Sequence, residues 1–426
     1  MKACDTVMLP LRASIGVGVS LSWFSGKSLL VVLGNAIGLW ALFVEPLPAL
    51  ADEFDTVNYN ATVGITYDNN IFRLPTSVSA AALGRSSKSD RIRLVTFGVS
   101  LDKKYSNQEL LFKANVTNNK YNTFSFLDYN STAYKASWNW SLGSKLNGVM
   151  GVDRTQTLNS FADTRTNTRN LRTMNVRNLN ADWWFESSWH LLLGASSSEL
   201  NNSTATVNNL NSLTQTGEVG LKYVSAEGSS VTLLSRNIRG SYINAVPDYV
   251  ALIDTGYTEK QKSLQMSWPL TGKSVLSGNL TSTKRSYPIF FQRNYSGMQG
   301  AVNYVWSTTD KTSVNASMTR SATSWFGTTS SYVVTDTLLV APTWQLSAKT
   351  DMRMSLKYGR SNYLSPVVAN ALARKDVDRA VEIGGGWSPQ RAVRLSASVQ
   401  HSQRASSDAT VEYRDNTINL TVTGTF

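Results

Sequence analysis

The sequence predicts an all-β protein, a transmembrane antiparallel up-and-down β-barrel of about 18 strands. Three observations lead to this fold class. Beyond residue 51, apolar and polar residues alternate with a period of two over most of the chain. The links between these segments alternate between short and long. The last segment keeps the alternation up to Phe426.

Composition agrees with a wall that has lipid on one side and water on the other. Only 16% of the residues are charged, against about 25% in ordinary soluble domains. Mean hydropathy is nevertheless −0.20, because Ser, Thr and Asn, rather than long apolar runs, replace the missing charges. The 12 Trp, 17 Tyr and 14 Phe suit the aromatic girdles of such a wall.

The N-terminal region has the features of an export signal. Lys27 precedes an uncharged stretch, Ser28–Val44, rich in Leu, Val, Ala and Gly. Two prolines follow, and then the small residues of Ala49–Ala51 that signal peptidase requires. We therefore predict a signal peptide over residues 1–51, with a long n-region, and a barrel over residues 52–426. A retained membrane anchor is the alternative, because the apolar stretch is long for a signal.

Alternation begins with the first predicted strand, Val57 to Tyr67, in which Val, Tyr, Ala and Ile alternate with Asn, Thr and Gly. Eight short links are expected near 102–108, 143–145, 186–188, 225–229, 269–273, 307–311, 345–350 and 388–391. Nine longer polar links are expected near 68–90, 120–130, 156–168, 199–213, 241–254, 284–294, 321–330, 361–373 and 403–407. Bacterial outer-membrane barrels have short periplasmic turns and longer external loops. The alternation of short and long links therefore predicts an even strand number and the orientation of the barrel in the membrane.

The last predicted strand must pair with the first, because an open edge in lipid would leave backbone hydrogen-bonding groups unsatisfied. Its terminal aromatic residue, Phe426, resembles the signal that the barrel-assembly machinery recognises in outer-membrane barrels. We therefore expect that machinery to be a partner of the chain.

Parity assigns the two faces of each strand. If the apolar set faces lipid, the opposite set lines the interior, and an 18-stranded barrel is wide enough for a water-filled channel. The acidic candidates for this lining, Glu109, Glu218, Asp378 and Glu382, are outnumbered by basic ones. The basic candidates are Lys113, Lys135, Lys222, Arg236, Arg353, Lys357 and Arg394. A basic lining attracts anions, whereas the alternative is that these charges pair into a network that only stabilises the wall.

The formal net charge of +12 is carried almost entirely by residues beyond 51. Such an excess favours anionic partners, here acidic polysaccharides and the phosphates of lipopolysaccharide in the outer-membrane lipid. Nucleic acid is not expected as a partner, because the chain is exported.

The residues give little support for catalysis or for a cofactor. The only cysteine, Cys4, lies in the predicted signal, and the only histidines are His190 and His401. A zinc site needs three or four clustered ligands, so neither a metal nor another cofactor is expected. Ser187 or Ser188 could pair with His190, but at the short-turn end of the barrel, away from the outer leaflet where barrel lipases act. We therefore predict that the chain is not an enzyme.

After the first strand the chain reads Tyr67-Asp68-Asn69-Asn70-Ile71-Phe72-Arg73. This motif resembles a signature near the start of outer-membrane barrels encoded with exopolysaccharide operons, the EpsL-like proteins. The resemblance implies export of an extracellular polysaccharide, with a periplasmic polysaccharide export or synthesis complex as a partner. Asn69 stands where many relatives have Asp, which argues against a metal site. A structural role is the alternative, because Asp and Asn suit tight turns that bond to their own backbone.

Three functions are therefore compatible with the sequence. The first is an outer-membrane channel that exports an anionic polysaccharide through a basic lumen. The second is a structural or adhesive barrel that binds polymer or lipopolysaccharide through its external loops. The third is a general diffusion porin, whose wall would look the same.

Overall fold

The computed structural model of the chain describes residues 56–163, 167–204, 210–243, 245–249, 252–327, 330–366 and 373–426. The predicted signal peptide, its cysteine and its cleavage site lie outside the described residues.

The described residues form one closed antiparallel sheet of 18 strands, in which each strand pairs with the next and β1 pairs with β18. The fold class and the strand number predicted above are confirmed. The strands are β1 Val57–Asp68, β2 Asp90–Tyr105, β3 Gln108–Tyr121, β4 Tyr129–Leu142, β5 Leu146–Leu158, β6 Leu171–Glu186, β7 Trp189–Asn202, β8 Ser212–Val224, β9 Ser230–Tyr242, β10 Gly256–Thr271, β11 Ser274–Ser286, β12 Tyr295–Thr309, β13 Thr312–Gly327, β14 Ser330–Ser347, β15 Thr350–Leu364, β16 Lys375–Gln390, β17 Val393–Ser406 and β18 Tyr413–Thr425.

The seam between the first and last strands closes the barrel. Asn60 lies opposite Thr425 and Asp68 lies opposite Thr417, with unbroken pairing between them. Beyond this register, the Tyr59 amide donates to the Phe426 carbonyl (2.7 Å), and the Phe426 amide donates to the Tyr59 carbonyl (2.9 Å). The backbone groups of both strands are therefore satisfied within the sheet, as a bilayer requires.

The links alternate around the barrel as predicted, with one exception in length and one in position. The expected long link at 321–330 is wrong, because β13 continues to Gly327 and β14 begins at Ser330. Its Ser- and Thr-rich residues extend the ladder to the pair Ser324–Tyr332 instead of forming a loop. The last external link lies at 407–412 rather than 403–407, because β17 pairs with β16 up to Ser406. Both errors arise because short polar side chains suit a strand end as well as a loop.

The two faces of the sheet differ in chemistry. One carries large hydrophobic side chains that stay exposed, such as Phe97, Trp138, Leu233 and Trp268, and the other carries mainly Ser, Thr, Asn and charged residues. The polar face is the concave one. Arg394 on β17 contacts Asp351 on β15 at 2.5 Å across the intervening β16, and side chains two strands apart approach each other only on the concave side. We call this the interior face and the apolar one the outward face.

No helix in the described part of the chain is long and apolar enough to cross a membrane. The helical elements described are short 3₁₀ turns in the external links, at Ala80–Leu83, Ser125–Leu127, Phe291–Arg293 and Ala409–Val411. A buried apolar cluster also belongs to these links and lies at one end of the barrel.

Candidate functional site: the barrel interior and its external mouth

The seven basic residues predicted to line the lumen all occupy interior-face positions in the strand register. Three of them have a carboxylate partner. Lys222 lies 3.7 Å from Asp182, and Arg236 lies 2.7 Å from Glu218. The third is Arg394, paired with Asp351 as described above. For these three, the structure brings together the charges of the network that was the alternative to an anion-attracting lining.

The other four basic residues form two groups without an ion pair in the described part of the chain. Lys113 on β3 and Lys135 on β4 are directly opposite each other, and both side chains are exposed. Arg353 and Lys357 lie on the same face of β15. Like charges in direct opposition repel, so Lys113 and Lys135 create a positive potential that mobile anions would neutralise.

The acidic candidates are mostly paired. Glu109 lies 3.4 Å from Lys104 and accepts a hydrogen bond from Asn139 (2.6 Å). Asp378 lies 2.9 Å from Arg404. Glu382 has no ion pair among the described residues. Asp153, which lies directly opposite Lys135 on β5, also has no ion pair among the described residues, so it offsets only part of the charge of the four unpaired bases.

The hydrogen-bond partners of the two histidines among the described residues are an acid and an amide, not a serine. His190 Nδ1 lies 2.6 Å from Asp182, not against Ser187 or Ser188, and its ring stacks on Trp184. His401 is on the outward face and bonds to Asn416 (2.8 Å). Within the described ranges, no group of His, Cys, Asp and Glu could hold a metal ion.

A buried charge network near the external end of the interior face was not predicted. Arg285 pairs with Glu259, whose side chain is only 3% exposed. Arg404 pairs with Asp378 (2.9 Å) and approaches Asp376 (3.8 Å). The alternation within each strand is enough to place these charged residues on the interior face. It does not show which acid on one strand pairs with which base on another.

The turn motif that follows β1 holds the seam of the barrel. The Asn70 amide donates to Asp68 Oδ1 (2.8 Å), which closes a tight turn. The Asn416 amide of β18 donates to Asn69 Oδ1 (2.8 Å). The Arg73 guanidinium contacts Asp68 and the fully buried Asp415, both at 2.9 Å. These contacts give the polar residues of the motif a structural role where the first strand meets the last.

Arg73 is held in its charged form. Burial by itself would lower the pKa of its guanidinium, but the carboxylates of Asp68 and Asp415 outweigh burial and raise that pKa. Arg73 also has a φ of 54°, which is uncommon for a residue other than glycine. The turn geometry is thus fixed by an ion pair as well as by hydrogen bonds.

The apolar residues of the same motif belong to a cluster that joins three external links. Ile71 and Phe72 pack with Phe124 and Leu127 of the β3–β4 link and with Phe161 of the β5–β6 link. The Phe72 ring lies 4.9 Å from that of Phe124, edge-on, and 4.7 Å from that of Phe161. We call these five residues the mouth cluster. The mouth cluster could not be predicted from sequence, because its members come from separate links.

A buried carboxylate anchors the β3–β4 link to the neighbouring hairpin. Asp90, at the start of β2 and 2% exposed, accepts hydrogen bonds from the amides of Asn122 (3.0 Å), Thr123 (2.8 Å) and Phe124 (2.9 Å). Each bond to an ionised acceptor is stronger than a neutral one. This anchor positions Phe124 within the mouth cluster.

The same arrangement recurs on the other side of the barrel. Asp254, just before β10 and fully buried, accepts from the amides of Ile289 (2.8 Å) and Phe290 (3.0 Å) in the β11–β12 link. Arg293 of that link donates to the carbonyl of Leu252 (2.6 Å). Burial lowers the pKa of the Arg293 guanidinium. A second assembly of external links therefore stands opposite the mouth cluster.

One contact crosses the mouth. Arg404 on β17 donates to the Ala162 carbonyl (3.1 Å) and lies 2.7 Å from the Asp163 carboxylate, both in the β5–β6 link. These strands are far apart around the ring of 18, so this link reaches over the mouth rather than along the wall. The mouth is thus partly covered by links that are tied to each other and to the interior face.

Comparison with known proteins gives a family match for part of the chain. Residues 283–426 match the family described as "Putative beta-barrel porin 2". The chain is an outer-membrane β-barrel, because a closed antiparallel barrel with an exposed apolar outward face is the architecture of such proteins. The matched family is one of porins, which are channels and not enzymes.

Among solved structures, the barrel is similar to OccK1 (OpdK) of Pseudomonas aeruginosa, with 10% identity and a TM-score of 0.49, covering 89% of this chain and 100% of that one. It is similar to OprD of P. aeruginosa, with 9% identity and a TM-score of 0.47, covering 90% and 98%. It is also similar to OccAB4 of Acinetobacter baumannii, with 8% identity and a TM-score of 0.47, covering 88% and 99%. No curated protein sequence matches the chain.

Proposed function

We propose that this outer-membrane barrel is a porin-like channel that favours small hydrophilic anions. The observation that carries the proposal is the unpaired positive charge of Lys113, Lys135, Arg353 and Lys357 on the interior face. A base beside a carboxylate contributes little net field at a distance, whereas an unpaired base raises the local concentration of anions. The surrounding Ser, Thr and Asn side chains offer exchangeable hydrogen bonds to a hydrated solute.

The test is ion selectivity in planar bilayers. In a KCl gradient, the reversal potential of the wild-type barrel should have the same sign as the equilibrium potential of chloride. A variant in which all four residues become Gln should move the reversal potential towards that of potassium. The difference should be largest at low salt, since the Debye length is about 10 Å at 0.1 M and shorter above it.

Lys145→Gln is a control for the loss of a positive charge outside the lumen, because Lys145 lies in the short β4–β5 turn; it removes one charge, whereas the quadruple variant removes four. This variant should keep wild-type selectivity. A cation-selective wild type, or a quadruple variant with unchanged selectivity, would refute the proposal.

Export of an anionic polysaccharide is a second candidate, supported by the Tyr67–Arg73 motif and its resemblance to EpsL-like barrels. A polymer leaving through the mouth would have to displace the contact of Arg404 with Asp163. Cognate polymer added on the short-turn side should then block conductance, and gene deletion should remove polymer from the cell surface. If polymer blocks conductance only when it is added on the loop side, polymer binding by the external links is favoured instead. If polymer blocks from neither side, export is contradicted and passage of small solutes is favoured.

A further inference from the structure

Charge on the outward face is concentrated at one level of the wall. Across the seven consecutive strands β5–β11, the described outward positions above the apolar band carry six bases and one acid, Glu199. We call the six bases the basic belt: Arg154, Arg177, Arg239, Lys260, Lys262 and Lys284. Outward bases are expensive on a lipid-facing wall, so their clustering needs a physical reason.

The level of the basic belt coincides with the border of the bilayer. Arg177, Arg239 and Lys262 each lie ten residues from the short turn at the end of their strand. At a rise of about 3.4 Å per residue and a strand tilt of about 40°, ten residues span about 26 Å along the barrel axis. The apolar band of an outer-membrane barrel is about 25 Å tall. Below the belt, towards the short turns, the outward residues are uncharged and include exposed apolar side chains such as Leu233 and Leu264. The belt therefore lies where the polar headgroups of the outer leaflet begin.

The basic belt lacks counter-charges of its own. None of its six members forms an ion pair with a described residue, and Arg154 donates only to the neutral Asn175 (3.2 Å). Lys260 and Lys284 are directly opposite each other in the register, which is destabilising unless an anion lies between them. The described residues therefore do not supply the missing negative charge, and we expect it to come from the surroundings of the barrel.

A groove on the outward face runs from the apolar band up to the basic belt. Its volume is about 780 Å³, and its lining includes Arg177, Arg239 and Lys260 at the polar end and Met150 and Leu179 at the apolar end. The groove exists because small residues occupy its floor. A Cβ placed on Gly217 would meet nothing within 4 Å.

We propose that this groove and the basic belt bind an anionic glycolipid of the outer leaflet, of the lipopolysaccharide class. Its phosphates would contact Arg177, Arg239 and Lys260, and an acyl chain would lie in the groove over Gly217. The planar guanidinium of arginine suits bidentate contact with phosphate. The inference rests on the outer-membrane location of the barrel and not on the proposed anion channel, because the belt and the lumen are on opposite faces of the wall.

The test uses the folded full-length barrel in detergent, with diphosphoryl lipid A and its fully dephosphorylated form as probes and native mass spectrometry as the readout. Diphosphoryl lipid A should bind in preference to the dephosphorylated form. Changing Arg177, Arg239 and Lys260 together to Gln should weaken its binding on the order of 100-fold, since each base near an anionic surface contributes roughly fivefold. The Lys113→Gln, Lys135→Gln double variant removes charge from the interior face and should bind as the wild type does.

Gly217→Trp separates the groove from the charge. It fills the open space without altering any base, and should weaken lipid A binding while leaving the weak binding of inorganic phosphate unchanged. Heat-modifiable migration in electrophoresis verifies that each variant is folded. Equal binding of the two lipid A forms, equal binding by the triple Gln variant and the wild type, or full competition by millimolar inorganic phosphate would overturn the proposal.

Discussion

The anchor of the β3–β4 link gives a prediction whose size follows from three hydrogen bonds. In Asp90→Ala, the amides of Asn122, Thr123 and Phe124 lose their common acceptor. Phe124 is 1% exposed, so its amide finds no water and costs about 1–3 kcal/mol. The other two amides regain water and lose about 1 kcal/mol each. The link should therefore become less stable by about 3–5 kcal/mol.

Amide hydrogen exchange is the direct assay, because it reports local opening. A loss of about 3–5 kcal/mol corresponds to exchange faster by about two to four orders of magnitude at these three amides. Asp90→Asn should have a smaller effect, because it can keep the oxygen that accepts from Asn122 and Thr123 and lose only the bond from Phe124. Exchange should then accelerate by about tenfold at Phe124 alone.

The equivalent anchor provides the matched control. Asp254→Ala should accelerate exchange at Ile289 and Phe290 and leave the β3–β4 link unchanged. If the three amides in Asp90→Ala exchange at wild-type rates, the carboxylate does not hold the link and the reasoning is wrong. Acceleration spread evenly over the whole barrel would also contradict it, because it would indicate global rather than local destabilisation.

Three further outcomes follow from the same structure. Phe161→Ala should open the mouth cluster at a cost of about 3 kcal/mol, seen as faster proteolysis of the β5–β6 link, whereas Phe161→Leu should cost less; equal rates would contradict this. Arg236→Gln leaves Glu218 unpaired on the interior face and should shift the reversal potential towards cations, with Glu218→Gln shifting it the opposite way; shifts of the same sign would argue against an interior location. Although burial alone raises the pKa of Asp128, hydrogen bonds from Lys120 and the Tyr121 amide outweigh it and lower that pKa. The stability that Asp128 contributes is thus present above its ordinary pKa and is lost as pH falls below about 4. The protection factor of the Tyr121 amide, in which the intrinsic pH dependence of exchange cancels, should fall there in the wild type and stay constant in Asp128→Asn.

The strand pattern could be predicted from sequence because it depends on local parity. In a barrel wall each strand faces lipid on one side and water on the other, so a single residue such as Phe97 or Trp138 already indicates its face. The two misplaced links show the limit of this argument. Around Ser324 and Gln403 the side chains are short and polar, and polarity alone does not distinguish a water-filled interior from a loop.

The mouth could not be predicted in the same way. Phe72, Phe124 and Phe161 lie in three links, and nothing in the local sequence of each indicates that they meet. The basic belt was missed for another reason. Parity assigns one chemistry to each face along the whole strand, whereas the outward face becomes basic at residues such as Arg177 and Lys262.

The buried acids at the two mouth assemblies bear on how these barrels can be redesigned. Asp90 belongs to one hairpin and the amides that it holds belong to the next, and Asp254 stands in the same relation to its partner. A loop transplanted into another barrel without the acid from the adjoining hairpin would lack the hydrogen bonds that hold it in place. Chimaeras of such barrels should therefore exchange pairs of neighbouring hairpins. A junction placed between the two hairpins would separate the acid from the loop that it holds, and the loop should lose its parental conformation.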